Sequence, residues 1–262
     1  MEPIFEVCHL SAGYDTPIVS DIFFSVSSGE VVGILGRNGH GKTTLLRGIT
    51  GDAKRFSGEI WIDGKDCTTL TAKRLATFLS VLPQRTQILE GITVEEILKM
   101  GCYPRQGFLQ ALSDEEQKKM IHASERLGIA ELLDQDCAKL SQGQQQMVLL
   151  CRMLIQDTPV MLLDEPDAAL DYYNQHLLFQ ILKRLIREEK KAGILVLHNP
   201  ETALQWCDRL LILNQGVLLQ DFNTASADEI QIQEFLQILY PDIQVRTNPF
   251  YKGFVCYLQD KS

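Results

Sequence analysis

Gly36-Arg37-Asn38-Gly39-His40-Gly41-Lys42-Thr43 is the stretch on which the reading of this chain turns. The apolar run Val31-Val32-Gly33-Ile34-Leu35 leads into it, and Thr44-Leu45-Leu46-Arg47 leaves it as the opening of a helix. Strand, glycine-rich loop, Lys-Thr and helix in that order make the P-loop pattern G-x-x-x-x-G-K-[ST]. The glycines let backbone N–H groups turn inward onto phosphate oxygens. The helix start adds unpaired donors and the positive end of its dipole. Lys42 is placed to reach the outer phosphates and the Thr43 hydroxyl to ligate Mg²⁺. The candidate phosphate cradle is therefore Gly36, Arg37, Asn38, Gly39, His40, Gly41, Lys42, Thr43 and Thr44. His40 has two readings, as a further phosphate contact or as a solvated side chain.

The rest of the composition is ordinary for a globular chain. Of 262 residues, 45% are hydrophobic and 23% charged, which excludes disorder. The net charge of −9 is a poor footing for binding nucleic acid, so no such partner is expected. Seven cysteines without a C-x-x-C pair read as scattered, reduced thiols of a cytosolic protein, with neither a metal site nor a disulfide framework. Met1 to Leu10 lacks the charge-then-apolar order of a signal peptide, and no apolar run nears the ~20 residues that span a bilayer.

Alternation of apolar and polar residues predicts strands over Ile4–Leu10, Ile22–Val26 and Glu59–Ile62, an antiparallel layer beside the P-loop core. Leu79–Leu82, Val160–Leu163 and Ile194–Leu197 read as short buried strands. Residues 93 to 135 read as helical, with a capping box at Ser113-Asp114-Glu115-Glu116. Long helices are expected from Ser141, over Leu170–Lys191 and over Asp228–Leu239, and a hairpin around Asn214-Gln215-Gly216. The organisation expected is one core over 1–240 with a helical insertion at about 85–140, and a small β extension over 241–262, around Asn248-Pro249 and Lys252-Gly253.

Val160-Met161-Leu162-Leu163-Asp164-Glu165-Pro166 sets two carboxylates at the C-terminal end of a buried strand, where α/β sheets bind ligands. Asp164 suits a Mg²⁺ ion, and Glu165 suits the polarising of a water. Upstream lies Leu140-Ser141-Gln142-Gly143-Gln144, which also reads as an S-x-x-Q capping box. With this run the chain resembles the ATP-binding subunits of ABC transporters, whose signature L-S-G-G-Q appears here with Gln142 in place of its first glycine. The resemblance runs from Tyr14 to about Gln220 and implies an α/β fold: a P-loop NTPase core, an antiparallel β subdomain and an α-helical insertion. It makes Tyr14 the residue that stacks on adenine. Gln84, after Leu82-Pro83, becomes the glutamine that touches Mg²⁺ and senses a membrane partner. Ala168-Ala169-Leu170-Asp171 matches the loop that crosses the dimer interface, with Ala168 where Ser is usual. His198 matches the histidine that contacts the γ-phosphate, followed by Asn199 where Asp is common.

The same resemblance implies ATP and Mg²⁺ as cofactors and a homodimer, or a pair with a paralogous partner, with two composite sites. One subunit supplies Tyr14, the P-loop, Gln84, Asp164, Glu165 and His198; the other supplies Ser141, Gly143 and Asp171. It also implies a polytopic permease, a solute-binding protein and a place on the cytoplasmic face of the membrane. Thr93-Val94-Glu95-Glu96-Ile97-Leu98 with Met100-Gly101-Cys102-Tyr103-Pro104 is similar to a segment of importers for ferric siderophores, haem and cobalamin. Asp171-Tyr172-Tyr173-Asn174-Gln175 is similar to their L-D-x-x-H-Q run, with Asn174 where His is usual. Met100 and Tyr103 are candidates for the permease contact. The rival readings are a soluble ABC ATPase of the iron–sulfur assembly type and a nucleotide switch with negligible turnover.

Overall fold

The computed structural model describes residues 3–84, 86–106, 112–168, 170–248 and 253–258. The chain divides into two compact units, Met1–Thr69 with Lys183–Ser262, and Leu70–Leu182.

In the first unit, an antiparallel sheet has the strand order Pro17–Ser27, Pro3–Gly13, Lys54–Ile62, Lys65–Asp66. Its buried face carries Phe5, Val7, Ile22, Phe24, Ile60 and Ile62. The two-residue period breaks after Val7, where both ladders of the first strand shift register. His9 takes a φ of 51° there and Asp21 one of 53°, and His9 Nδ1 lies 2.6 Å from Asp21 Oδ1. On the other flank Gly58 has φ +95°, and a Cβ on it would lie 2.5 Å from Leu10 Cα. This row of bulges returns Leu10 and Ala12 to the buried face. It also explains why the strands run past the Ile4–Leu10 and Ile22–Val26 that alternation predicts.

The core of the same unit is Val31–Leu35, buried at every residue. It lies parallel to Ala192–Leu197 on one side and to Arg209–Asn214 on the other. Strands covered on both faces read as unbroken apolar runs, which is how all three look in sequence. Arg209–Asn214 turns back antiparallel into Val217–Asn223 through Gln215 and Gly216, both at positive φ, the backbone that a tight hairpin needs. At the C-terminal side, Asp228 and Gln231 form a capping box on the helix Glu229–Gln237. The hairpin Ile243–Thr247 with Phe254–Leu258 comes next. Gln233 Oε1 accepts from the Val245 N–H at 3.1 Å, which fastens helix to hairpin. Pro249 and Lys252 of the expected turn lie outside the described residues.

The second unit is built on the parallel pair Leu79–Leu82 and Val160–Asp164. Its helices include Val94–Lys99, Tyr103–Gln106, Asp114–Arg126 and Gln142–Gln156. Capping boxes at Thr93, Ser113 and Ser141 start three of them, each made from both reciprocal bonds. The last helix turns Val148, Leu150, Cys151 and Ile155 inward. The helix Tyr172–Glu188 is shorter at both ends than the expected Leu170–Lys191. Asp171 fixes its start by accepting from Asn174 N–H at 2.9 Å, and Lys190, at φ 53°, lies beyond its end. Arg85, at the start of the expected insertion, and Ala169, of the expected interface loop, lie outside the described residues.

Candidate functional site

Parallel register brings the first unit's candidates together. Leu35 pairs with Leu197, so the next residues along, Gly36 and His198, leave the C-terminal ends of adjacent strands side by side. A Cβ on Gly36 would meet Leu213 O at 2.6 Å, so the loop leaves the sheet through a gap only glycine fits. Gly41 caps the helix Lys42–Thr50 at φ 96°, and a Cβ there would meet Val19 Cγ1 at 2.8 Å. Lys42 is 5% exposed. Its Nζ donates to Gly36 O at 2.6 Å, so the ammonium is strapped across the loop it serves. Arg37, Asn38 and Gly39 form the exposed tip; Thr44 is buried and Thr43 half-buried. His40 Nδ1 is buried with no hydrogen-bond partner among the described residues, which disfavours the solvated reading for that atom. Tyr14 is exposed, and its hydroxyl accepts from Arg47 Nη1 at 2.8 Å.

A second register does the same in the other unit. Leu82 pairs with Leu163, so Pro83-Gln84 and Asp164-Glu165 run on together. Gln84 Nε2 donates to Glu165 Oε2 at 2.5 Å. Asp164 is 5% exposed, while Glu165 stands half-buried at φ 46°. That φ lies in the left-handed region and costs a non-glycine residue on the order of 1 kcal/mol, a cost met typically where backbone aims a functional group. Ser141 Oγ accepts from Gln144 N–H, which leaves its own proton for another acceptor. Gly143 differs from the P-loop glycines: a Cβ there would make only ordinary contacts, the nearest being Asn174 Nδ2 and Leu170 Cδ2 at 3.6 Å. Packing within this chain does not require it to be glycine.

Contacts of three glutamines and a glycine that frame these loops were not legible in the sequence. Gln145 Nε2 donates to the carbonyls of Cys137, Ala138 and Leu140 and fixes the turn before Ser141. Gln146 Nε2 donates to Pro166 O at 2.9 Å, just past Glu165. Gln175 Nε2 reaches Asp167 O and Leu170 O. In the first unit, Gly216 N–H donates to His40 O at 3.1 Å and props the P-loop from the hairpin turn. For Gln145 and Gln146 the sequence offers only the glutamine-rich run Gln142-Gly143-Gln144-Gln145-Gln146, since the partners of amides that bond backbone are set by tertiary position.

Among the described residues no cluster of three or more His, Cys, Asp or Glu could hold a metal ion. Hard oxygen donors stand in each unit: the Thr43 hydroxyl in the first, and in the second the Asp164 carboxylate and Gln84 Oε1, whose Nε2 is the atom given to Glu165. Donors of this kind suit Mg²⁺, which takes few protein oxygens and keeps its other positions for water and phosphate.

The departure at Asn199 has a local explanation. Asn199 Oδ1 accepts from Glu201 N–H at 2.9 Å and Thr202 N–H at 3.3 Å, capping the helix Pro200–Trp206. Asp and Asn cap equally well. Asn199→Asp is expected to leave the unfolding free energy unchanged, and Asn199→Ala to lower it by about 1 kcal/mol. Denaturant titration measures both, and equal midpoints for all three proteins would remove the capping role.

Comparison with protein families matches residues 19–168 to the family described as ABC transporter. An iron(3+)-hydroxamate import ATP-binding protein of Bacillus subtilis (strain 168) is 30% identical over 253 residues, 96% of this chain and 93% of its own. A hemin import ATP-binding protein of Hydrogenovibrio crunogenus (strain DSM 25203 / XCL-2) is 34% identical over 248 residues, 90% of this chain and 92% of its own. Among solved structures, a metal-chelate type ABC transporter in an inward-facing conformation superposes with a TM-score of 0.81 at 22% identity. The match covers 98% of this chain and 99% of that one, and it establishes the fold alone.

Proposed function

Because this chain belongs to the ABC transporter family, we propose that it is the ATP-hydrolysing subunit of an importer for a metal chelate, such as a ferric siderophore, haem or cobalamin. The observation that carries the cargo class is the end-to-end likeness to iron-hydroxamate and hemin import subunits. No described helix is long and apolar enough to cross a membrane, so the transport path is assigned to a separate polytopic permease. A solute-binding protein delivers the chelate to that permease, and this subunit works at the membrane's cytoplasmic face.

The P-loop N–H groups and Lys42 hold the phosphates of ATP, and Tyr14 stacks on adenine. Thr43, Gln84 and Asp164 would hold Mg²⁺, whose charge would offset what develops on the phosphate oxygens. Glu165 orients the attacking water and accepts its proton, while His198 contacts the γ-phosphate. Two copies related by a two-fold axis complete each other's sites, Ser141, Gly143 and Asp171 reaching the nucleotide held by the partner. The glycine at 143 supports this reading, because its own chain has room for a larger residue. Loss of the γ-phosphate separates the two copies, and the helical segment after Gln84 passes the movement to the permease.

The test is made on the complex. Tyr103 is half-buried at the start of Tyr103–Gln106, and Met100 is half-buried just before it. With the permease of its own operon, wild type is expected to co-purify and to drive ATP-dependent uptake of a radiolabelled ferric siderophore, haem or cobalamin into vesicles. Tyr103→Glu is expected to lose both while still binding ATP. Uptake of none of the three chelates would end the cargo assignment, and absence of any permease partner would end the importer reading.

A further inference from the structure

The C-terminal segment reaches the histidine end of the site through one side chain. Tyr240 lies between the helix Glu229–Gln237 and the strand Ile243–Thr247, with its N–H bonded to Leu236 O at 2.9 Å and its carbonyl accepting from Ile243 N–H at 3.0 Å. Its backbone is therefore held from both sides. Its hydroxyl donates to the carbonyl of His198 at 3.0 Å, across 42 residues of sequence. The parallel ladder that fixes the preceding strand ends at Leu35 and Leu197, so His198 is the first residue beyond it. Its carbonyl is the point where the chain leaves the sheet, and the cap at Asn199 fixes only the helix after it.

Other contacts tie the same segment down. The helix Pro200–Trp206 packs against the strand Phe254–Leu258. Burial, with the charge of Glu201 adding to it, pushes the Cys256 thiol up to about 12, as expected for a strand pressed on that helix. Burial also raises the pKa of the Tyr240 phenol, and the charge of Arg37 in the P-loop opposes that rise. The phenol thus remains a donor, and the P-loop tip is near enough to act on it.

We propose that Tyr240 is a positioning residue for ATP turnover: by holding the His198 carbonyl from the C-terminal segment, it sets where the His198 imidazole stands at the strand end. Without the phenol, that carbonyl turns to water, and the backbone carrying the imidazole loses its tether between the ladder and the cap. The inference rests on the reading of His198 as the γ-phosphate contact. It gives the residues after about Gln220, where the resemblance ends, a role in the reaction.

The experiment uses the full chain and Tyr240→Phe, which keeps the ring and removes the donor. A neutral hydrogen bond of this kind is expected to alter kcat by roughly three- to tenfold. The KM for ATP should change less than about twofold and the thermal midpoint by no more than roughly 3 °C. In protein carrying ring-¹³C histidine, the His198 signal is identified by its absence in His198→Ala. That signal should shift or broaden in Tyr240→Phe, while those of His9, His122 and His176 stay. An unmoved His198 signal overturns the proposal whatever the rate does, and a moved signal with wild-type kcat overturns the part concerning turnover. If His198→Ala itself hydrolyses ATP like the wild type, the tether stands and it is the phosphate-contact reading of His198 that fails.

Discussion

Glu165→Gln is expected to lower ATP turnover by about 10²–10⁴, the usual cost of removing a general base, and to leave ATP binding intact. The substitution keeps the length of the side chain and one oxygen, and removes the proton acceptor. Gln84 Nε2 donates to Glu165 Oε2 at 2.5 Å, a bond that an amide oxygen can still accept. The left-handed backbone at 165 is equally available to Gln, so the loop is expected to stay as it is. Because ATP is bound but not cleaved, the variant is expected to accumulate as a dimer in size-exclusion chromatography when ATP and Mg²⁺ are present. Hydrolysis near the wild-type rate would remove Glu165 from the chemistry, and a variant that stays monomeric with ATP bound would remove the shared-site dimer.

Lys42→Ala is expected to produce a different loss. Lys42 is 5% exposed and its Nζ lies 2.6 Å from Gly36 O, so the substitution takes away both a positive charge on a buried residue and the strap across the loop. Charge-assisted hydrogen bonds are worth about 1.5–3 kcal/mol, so ATP affinity is expected to fall roughly 10- to 150-fold. Calorimetric titration with ATP in the presence of Mg²⁺ reads this directly. Lys42→Arg should not rescue it, since a planar fork cannot occupy the narrow space between Gly36 and the helix as a compact ammonium does. Binding within twofold of wild type in Lys42→Ala would disconnect this lysine from the phosphates. The two variants separate holding from cleaving: one loses affinity, the other turnover.

Much of this arrangement was legible in the sequence, for identifiable reasons. Val31–Leu35, Val160–Asp164 and Ala192–Leu197 are covered on both faces, and unbroken apolar runs report such strands directly. The caps at Ser113 and Ser141 are local, three residues from donor to acceptor, and so were readable. The box at Thr93 has the same spacing, although the sequence reading used that run only for its resemblance. Alternation failed at His9, because a bulge shifts the period and its cause lies on two neighbouring strands, at Asp21 and Gly58. The amides of Gln145, Gln146 and Gln175 and the phenol of Tyr240 were not readable. Their partners are backbone carbonyls, which carry no residue-type signal, and Tyr240 finds its own 42 positions away.

The pairings of Leu35 with Leu197 and of Leu82 with Leu163 have a consequence for how this gene breaks. Each sets the level at which polar residues leave a strand end, yet every residue in the pairing is an aliphatic with no reactive group. A slip of one position would turn each strand's side chains to the opposite face and carry the loop with them. A random-mutagenesis screen scored on lost ATP hydrolysis, among variants that still accumulate in the cell, should therefore return substitutions at Ile34, Val81, Leu162 and Val196 alongside those at the acids and the lysine. In such a screen the map of indispensable positions would trace the sheet edges as well as the chemistry, and hydrophobic positions with no role in any mechanism would look, by phenotype, like catalytic ones.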